Sequence, residues 1–275
     1  MHPAIFPGSV AVVTGAASGL GLAAAKGLAA RGVRLCLADV AEDGLAAARE
    51  AMPGAEIAVY PCDVADREQI EGLAEHAFAT FGAVNLLMNN AGIQPGSSIF
   101  DVEGRWDRVL GVNLFGVIHG AQVFAPRMIA AGQHGLIVNT GSKQGITTPP
   151  GDTAYNISKA GVKVFTEALQ HHLRGLPGGL VEARLFIPGY VFTGLTAQGR
   201  VEKPAGAWTA EQTVDFLFQS LARDDFYILC PDNEVDRRTD EKRILWAAQD
   251  IAQNRPPLSR WQGDYADAFK AWLDS

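Results

Sequence analysis

Short apolar runs alternate with helix-period patterns along most of the chain, and few architectures accept that order. Residues 10–13, 33–39, 56–60, 84–88, 135–141, 180–187 and 226–230 read as strands. The segment starting at Leu20, and those at 41–52, 67–81, 102–131 and 153–173, place apolar residues at helical spacing. Strands that alternate with helices across short connections form a parallel sheet covered on both faces. Right-handed crossovers wind such a sheet outward in both directions, and ligands bind beyond the carboxyl ends of its strands. The predicted fold class is α/β. One doubly wound domain spans 1–275, with a seven-stranded parallel sheet, helices on both faces and a C-terminal helical extension at 235–275. With 275 residues, 48% of them hydrophobic, the chain can bury such a core in one piece.

The first strand ends at Thr14-Gly15-Ala16-Ala17-Ser18-Gly19-Leu20-Gly21, and a helix follows at once. Strand, glycine-rich turn and helix N-terminus make an anion site. Backbone N–H groups and the helix dipole face a diphosphate, and glycines let it come close. The plainer reading, small residues packing helix against strand, loses ground at Asp39. That acid closes the second strand about twenty residues after the glycines, where it can accept hydrogen bonds from adenosine ribose hydroxyls. The same carboxylate repels a 2′-phosphate, and no Arg or Lys stands at positions 16, 17, 18, 40 or 41 to offset it. The pattern predicts a Rossmann-type site that takes NAD in preference to NADP.

Tyr155 and Lys159 are four residues apart, so on a helix they share one face, offset by ~40°. A phenol of pKa ~10 is a poor acid or base near neutrality, and an ammonium within reach lowers that value. Thirteen residues before Tyr155, Ser142 follows an apolar strand and offers a hydroxyl to hold an oxygen that Tyr155 protonates or deprotonates. Alone, such a pair is usually a solvated surface contact; the dinucleotide turn upstream gives it weight. His119, His134, His171 and His172 have no partner pattern, so no metal is expected. Cys36, Cys62 and Cys230 lie in or beside strands and read as buried reduced thiols. A net charge of −7 with no basic stripe argues against nucleic acid as a partner. The N-terminus lacks the features of a signal peptide, and no run approaches the ~18 uncharged apolar residues of a membrane span. The expectation is a soluble cytoplasmic protein acting on a small molecule.

Taken in order, these elements resemble the short-chain dehydrogenase/reductase family over about residues 8–195. The match is carried by the 14–21 turn, Asp63-Val64, Asn89-Asn90-Ala91-Gly92, Asn113, Ser142, the Tyr155/Lys159 pair and Pro188-Gly189-Tyr190-Val191-Phe192-Thr193. The resemblance implies a catalytic set of Asn113, Ser142, Tyr155 and Lys159. In it Ser142 holds the substrate oxygen, Tyr155 moves its proton, and Lys159 lowers the Tyr155 pKa and binds the nicotinamide ribose. Asn113 anchors a water that links Lys159 to solvent. The implied cofactor site comprises Gly15, Ser18, Gly19, Leu20, Gly21, Asp39, Asp63, Val64, Asn90, Ala91, Gly92, Tyr155, Lys159, Pro188, Gly189, Val191 and Thr193. Asp63 and Val64 would hold the adenine, Asn90 would lie along the cofactor, and Val191 and Thr193 would grip the nicotinamide amide. Substrate contacts fall to Ser142, Gln144, Tyr155 and Tyr190, with a substrate loop at 190–210. The implied reaction interconverts a secondary alcohol and a ketone with NAD. The implied assembly is a homodimer or homotetramer joined partly through the helices that hold Asn113 and Tyr155.

Plainer roles exist for several of these residues. Asp63 could cap the next helix, Asn113 could be a paired buried amide, and Arg105 and Arg108 fit a solvated helix face. The chain also departs from the family pattern. Residues 181–187 lack the Asn often found before Pro188, and Pro231-Asp232-Asn233-Glu234 stands where the family has Asp-Gly-Gly. Beyond it, Trp261, Tyr265, Phe269 and Trp272 form one helix face, to be packed either on their own core or on a neighbouring subunit near the substrate mouth. The competing functions are an NADPH-preferring carbonyl or imine reductase, and a non-catalytic dinucleotide sensor or scaffold of the same fold.

Overall fold

The computed structural model describes residues 1–197 and 199–275; Gln198, in the expected 190–210 loop, lies outside them. All seven expected strands form, each within two residues of its anticipated bounds: β1 Val10–Thr14, β2 Arg34–Asp39, β3 Ile57–Pro61, β4 Leu86–Asn89, β5 Gly135–Thr140, β6 Val181–Ile187 and β7 Tyr227–Leu229. They pair in parallel throughout, in the order β3-β2-β1-β4-β5-β6-β7. Side chains alternate across the pleat. Val10 and Val12 therefore share one buried face with Cys36, Leu87 and Ile137, while Ala11 and Val13 share the other with Leu35, Leu37 and Val138. Both faces are apolar because helices cover both.

Those helices are α1 Gly19–Ala29, α2 Glu42–Glu50, α3 Arg67–Phe81, α4 Arg105–Leu110, α5 Gly116–Ala130, α6 Gln144–Thr147, α7 Thr153–Arg174, α8 Gly194–Ala197, α9 Ala210–Ala222, α10 Arg237–Ala252 and α11 Ala266–Asp274. Local chemistry sets several ends. Gly82 closes α3 in the left-handed region at φ 78°, its amide returning to the Phe78 carbonyl. The cap at the other end of α3 is Asp66, which accepts from the Glu68 amide, so Asp63 is not its cap. Helix α9 has no counterpart among the expected segments, although its Thr209/Gln212 capping box was there to be read.

Helices α4 and α5 run on through a π-helical turn, Gly111–Phe115, as one span from Arg105 to Ala130. By length and composition this span is apolar enough to cross a membrane, and residues 109–126 carry no charge, contrary to the expectation that no run comes near that limit. Val109, Val117, Phe124 and Met128 are buried within the fold, so here it is a core helix.

The extension folds back on its own chain. Phe269 and Trp272 meet Trp246 of α10 with ring centres 5.2 and 6.1 Å apart. Trp246 Nε1 donates to Ser259 Oγ at 2.8 Å, Trp272 Nε1 donates to the Lys242 carbonyl at 2.9 Å, and the Arg255 guanidinium covers Trp246 at 4.0 Å. The anticipated aromatic face thus supplies only part of the cluster. Its centre is Trp246, which lies outside that face, and Trp261 remains 43% exposed. Helix α10 joins the body through Ile244, which packs against the buried cluster of Val117, Val162, Leu185, Ile187 and Leu229. Trp246→Ala is expected to remove about 3–5 kcal/mol of stability, read from the urea midpoint. A loss below about 1 kcal/mol would place the extension outside the cooperative unit.

Candidate active site

Strand order reverses between β1 and β4, and the crevice that opens there is the ligand position of a doubly wound sheet. Buried Thr14 ties its two sides together. Thr14 Oγ1 accepts the amides of Asn90 and Ala91 at 3.0 and 3.1 Å, while Asn90 Nδ2 donates to the Thr14 carbonyl at 3.0 Å. The turn between them approaches closely: a Cβ on Gly21 would collide with the Gly15 carbonyl. Ser18 precedes α1 without a side-chain capping bond, so the first-turn amides of that helix have no side-chain acceptor. That vacant set of donors behind a glycine turn suits a diphosphate. Asp39 accepts the Ala17 amide on Oδ2 at 3.0 Å and the Ala41 amide on Oδ1 at 3.1 Å. Each carboxylate oxygen keeps a lone pair for a further donor.

A cavity of about 390 Å³ runs along this line. Every residue named above for the cofactor lines it except Gly21, which backs the turn. Ser142 and Tyr155 also line it, whereas Gln144 and Tyr190 stand outside its wall. Arg108, which the sequence suggests for a solvated helix face, lines the cavity too; with Lys159 it is one of two cations among the described lining residues.

Ser142 follows β5, and its Oγ accepts the Gln144 amide at 3.1 Å. Tyr155 and Lys159 come from the first turns of α7, whose start at Thr153 matches the expected position. Asp152 occupies the N-cap position but makes no side-chain capping bond. Ser97 Oγ accepts the Ala154 amide at 3.0 Å and donates to Asp152 at 2.8 Å, so the loop before α4 holds this end. Lys159 is buried, and its Nζ donates to the Thr140 carbonyl at 2.8 Å. Burial pushes the Lys159 ammonium down to about 8. Burial likewise pushes the Tyr155 phenol up to about 12, against the pull of the Ser142 hydroxyl; the Asp152 charge adds to the rise. The anticipated lowering of Tyr155 by Lys159 is therefore not what this arrangement gives. The ammonium lies 5.7 Å from the phenol ring centre and is committed to Thr140.

Asn113 sits fully buried in the π-helical turn. Its Oδ1 accepts the Ile93 amide at 2.8 Å, and its Nδ2 donates to the Ile93 carbonyl at 2.9 Å and to Ser158 Oγ at 3.3 Å. The side chain thus pins the segment after β4 beside α7, which is the paired-amide role. A second buried relay, unlike the first, was unanticipated. Asn89 Nδ2 donates to Asn139 at 2.9 Å, and Asn139 Nδ2 to Thr166 Oγ1 at 3.1 Å; an Asn inside the apolar β5 run was its only sequence signal.

Behind the site, Lys143 Nζ meets Asp240 Oδ2 at 2.7 Å and Asp232 Oδ2 at 3.3 Å. Asp232 Oδ2 also accepts the Tyr190 amide at 3.2 Å. Support for the 188–193 loop therefore comes from the Pro231–Glu234 turn that replaces Asp-Gly-Gly, and nothing in the spacing of Lys143 announces it.

A family model described as short chain dehydrogenase matches residues 9–203. The 1-deoxy-11-beta-hydroxypentalenate dehydrogenase of Streptomyces avermitilis is 32% identical over 246 residues, 86% of this chain and 90% of that one. The protein SadH of Mycobacterium tuberculosis is 41% identical over 171 residues; the match takes in 61% of this chain and 62% of SadH, under two thirds of its length. Among solved structures, a short chain dehydrogenase/reductase from Burkholderia phymatum in complex with NAD superposes with a TM-score of 0.84. It shares 35% identity over 92% of this chain and 97% of that one. With the site assembled at the strand ends and the family model spanning both its glycine turn and its Tyr/Lys helix, this chain belongs to the short-chain dehydrogenase family.

Proposed function

We propose that this chain is an oxidoreductase that interconverts a secondary alcohol and a ketone with NAD(H). The observation that carries the reading is the convergence of Ser142, Tyr155 and Lys159 on the cavity that also holds the glycine turn and Asp39. When bound, the dinucleotide accepts or gives the hydride. The residues manage the rest. Ser142 holds the substrate oxygen. In ketone reduction, Tyr155 gives its phenolic proton to that oxygen as the C–H bond forms, and Lys159 steadies the phenolate left behind. Oxidation reverses both movements. Asn113 keeps Ile93 and α7 in register, and its Oδ1, which takes the Ile93 amide, keeps a second lone pair for the water that links Lys159 to solvent. A homodimer or homotetramer accords with the exposed apolar residues Phe115, Ile157 and Val164 along the π turn and α7. Three free, buried cysteines accord with a reducing cytoplasm. A panel of secondary alcohols and ketones assayed with NAD and NADP tests the reaction class, and no turnover with any of them would reject it.

The Asp39 carboxylate supports NAD over NADP, although Arg108 lines the same cavity and makes the NADP comparison necessary. Asp39→Ala combined with Val40→Arg should shift preference toward NADP by at least about tenfold in kcat/KM. A wild type that uses NADP as well as NAD would refute the assignment. Tyr155→Phe should cut turnover by about 10²–10⁴ while NADH affinity stays near wild type, since only the transferable proton is lost. Near-normal kcat would remove Tyr155 from the acid/base role. Lys159 loses its charge as pH rises through about 8, while Tyr155, at about 12, stays protonated. Ketone reduction should therefore hold level below about pH 8 and fall above it, and a rate that climbs through that range would contradict the Lys159 role.

A further inference from the structure

The turn after β7 reaches both stems of the 190–208 excursion. Asp232 holds the Tyr190 amide at one stem, and its Oδ1 takes the Glu234 and Val235 amides at 3.1 and 2.8 Å. At the other stem, Asn233 Nδ2 donates to the Ala205 carbonyl at 2.7 Å, and the Asn233 amide donates to the Gly206 carbonyl at 3.1 Å. One residue then ties this clasp to the C-terminal extension. The Lys143 ammonium is shared between Asp232 and Asp240, the latter on the first turn of α10. The three side chains are 16%, 6% and 5% exposed, so the cluster is nearly closed to water. The Lys143 amide meets the Pro188 carbonyl at 3.4 Å, and a Cβ on Gly189 would lie 2.8 Å from Asp232 Oδ2 and 3.0 Å from Lys143 Nζ. The loop backbone therefore rests directly on the ion cluster, with no side chain between.

We propose that Lys143 is a positioning residue whose ammonium, shared by Asp232 and Asp240, fixes the 188–193 loop and neighbouring Ser142 to α10, so that the C-terminal extension is part of the active-site frame. The inference rests on the reading of 188–193 as cofactor-facing. Two buried carboxylates on either side of one ammonium repel each other once it is gone, and burial already disfavours the charged form of Asp240. The clasp would open on the side that faces the cavity.

Three full-length variants test it: Lys143→Met, Lys143→Arg and Asp240→Asn. Lys143→Met should speed amide exchange across 188–193 and raise the NADH Kd, each by about tenfold, with β1 to β3 exchange unchanged. Its KM should rise more than its kcat falls. Asp240→Asn should shift exchange in the same loop from outside the cavity wall, and Lys143→Arg should recover NADH affinity to within about threefold. Wild-type loop exchange and affinity in either Lys143→Met or Asp240→Asn would overturn the proposal. So would exchange that rises equally throughout the sheet, which marks a general loss of stability. If Lys143→Met does not fold, Asp240→Asn decides alone. Exchange and NADH binding need no turnover, so failure of the alcohol–ketone assignment leaves this test intact.

Discussion

One threonine hydroxyl closes the gap between the two halves of the sheet. At the switch point the crossovers from β1 and β4 leave to opposite faces, and the strand ends would otherwise present buried amides without partners. Thr14 Oγ1 takes two of them, and Asn90 returns its side-chain amide to the Thr14 carbonyl. The stitching continues without a break: Asn113 pairs with Ile93 and reaches Ser158, whose hydroxyl donates to the Tyr155 carbonyl at 2.7 Å. A chain of neutral hydrogen bonds thus runs from the glycine turn to the helix that carries the acid. Such a chain fixes distance without adding charge to the cavity.

Burial acts on the two central groups in opposite chemical senses but to one effect. The phenol is driven up and the ammonium down, so both move toward their uncharged forms. The Thr140 carbonyl offsets part of the desolvation of Lys159. A site prepared this way holds a proton ready on oxygen and a cation nearby for the charge that develops when the proton leaves. Preorganised polarity of this kind requires little reorganisation at the moment of reaction.

What was legible in the sequence was local. Strands, the glycine turn, Asp39 and the Tyr155/Lys159 spacing are set by residues near one another in the chain, and their positions in the fold match. The parts that escaped depend on distant partners. Lys143 and Asp240 are 97 residues apart and sit in polar segments that look like solvated surface. Arg108 reads the same way until the π turn and the 63–65 segment bring it to the cavity. The π turn itself coincides with Asn113 pairing with the Ile93 backbone, a tertiary event that helical periodicity does not record. Trp246 escaped for a similar reason, since the residues one turn away on α10 are Lys242, Arg243, Gln249 and Asp250 and its apolar partners arrive from α11. Helix α9 is the exception, because its capping box is entirely local.

The excursion between Tyr190 and Trp208 is pinched at its base: the Trp208 amide meets the Tyr190 carbonyl, and the Phe192 amide meets the Trp208 carbonyl, both at 2.9 Å. A loop whose ends are already joined transmits little of its own length or composition to the sheet beneath. Doubling such a loop costs only about 0.6 kcal/mol in closure entropy. The stem therefore makes the part of this stretch beyond Thr193 an interchangeable cassette, in which natural variation or grafting can redraw the shape a substrate meets while the strand register and the proton-handling residues stay where they are.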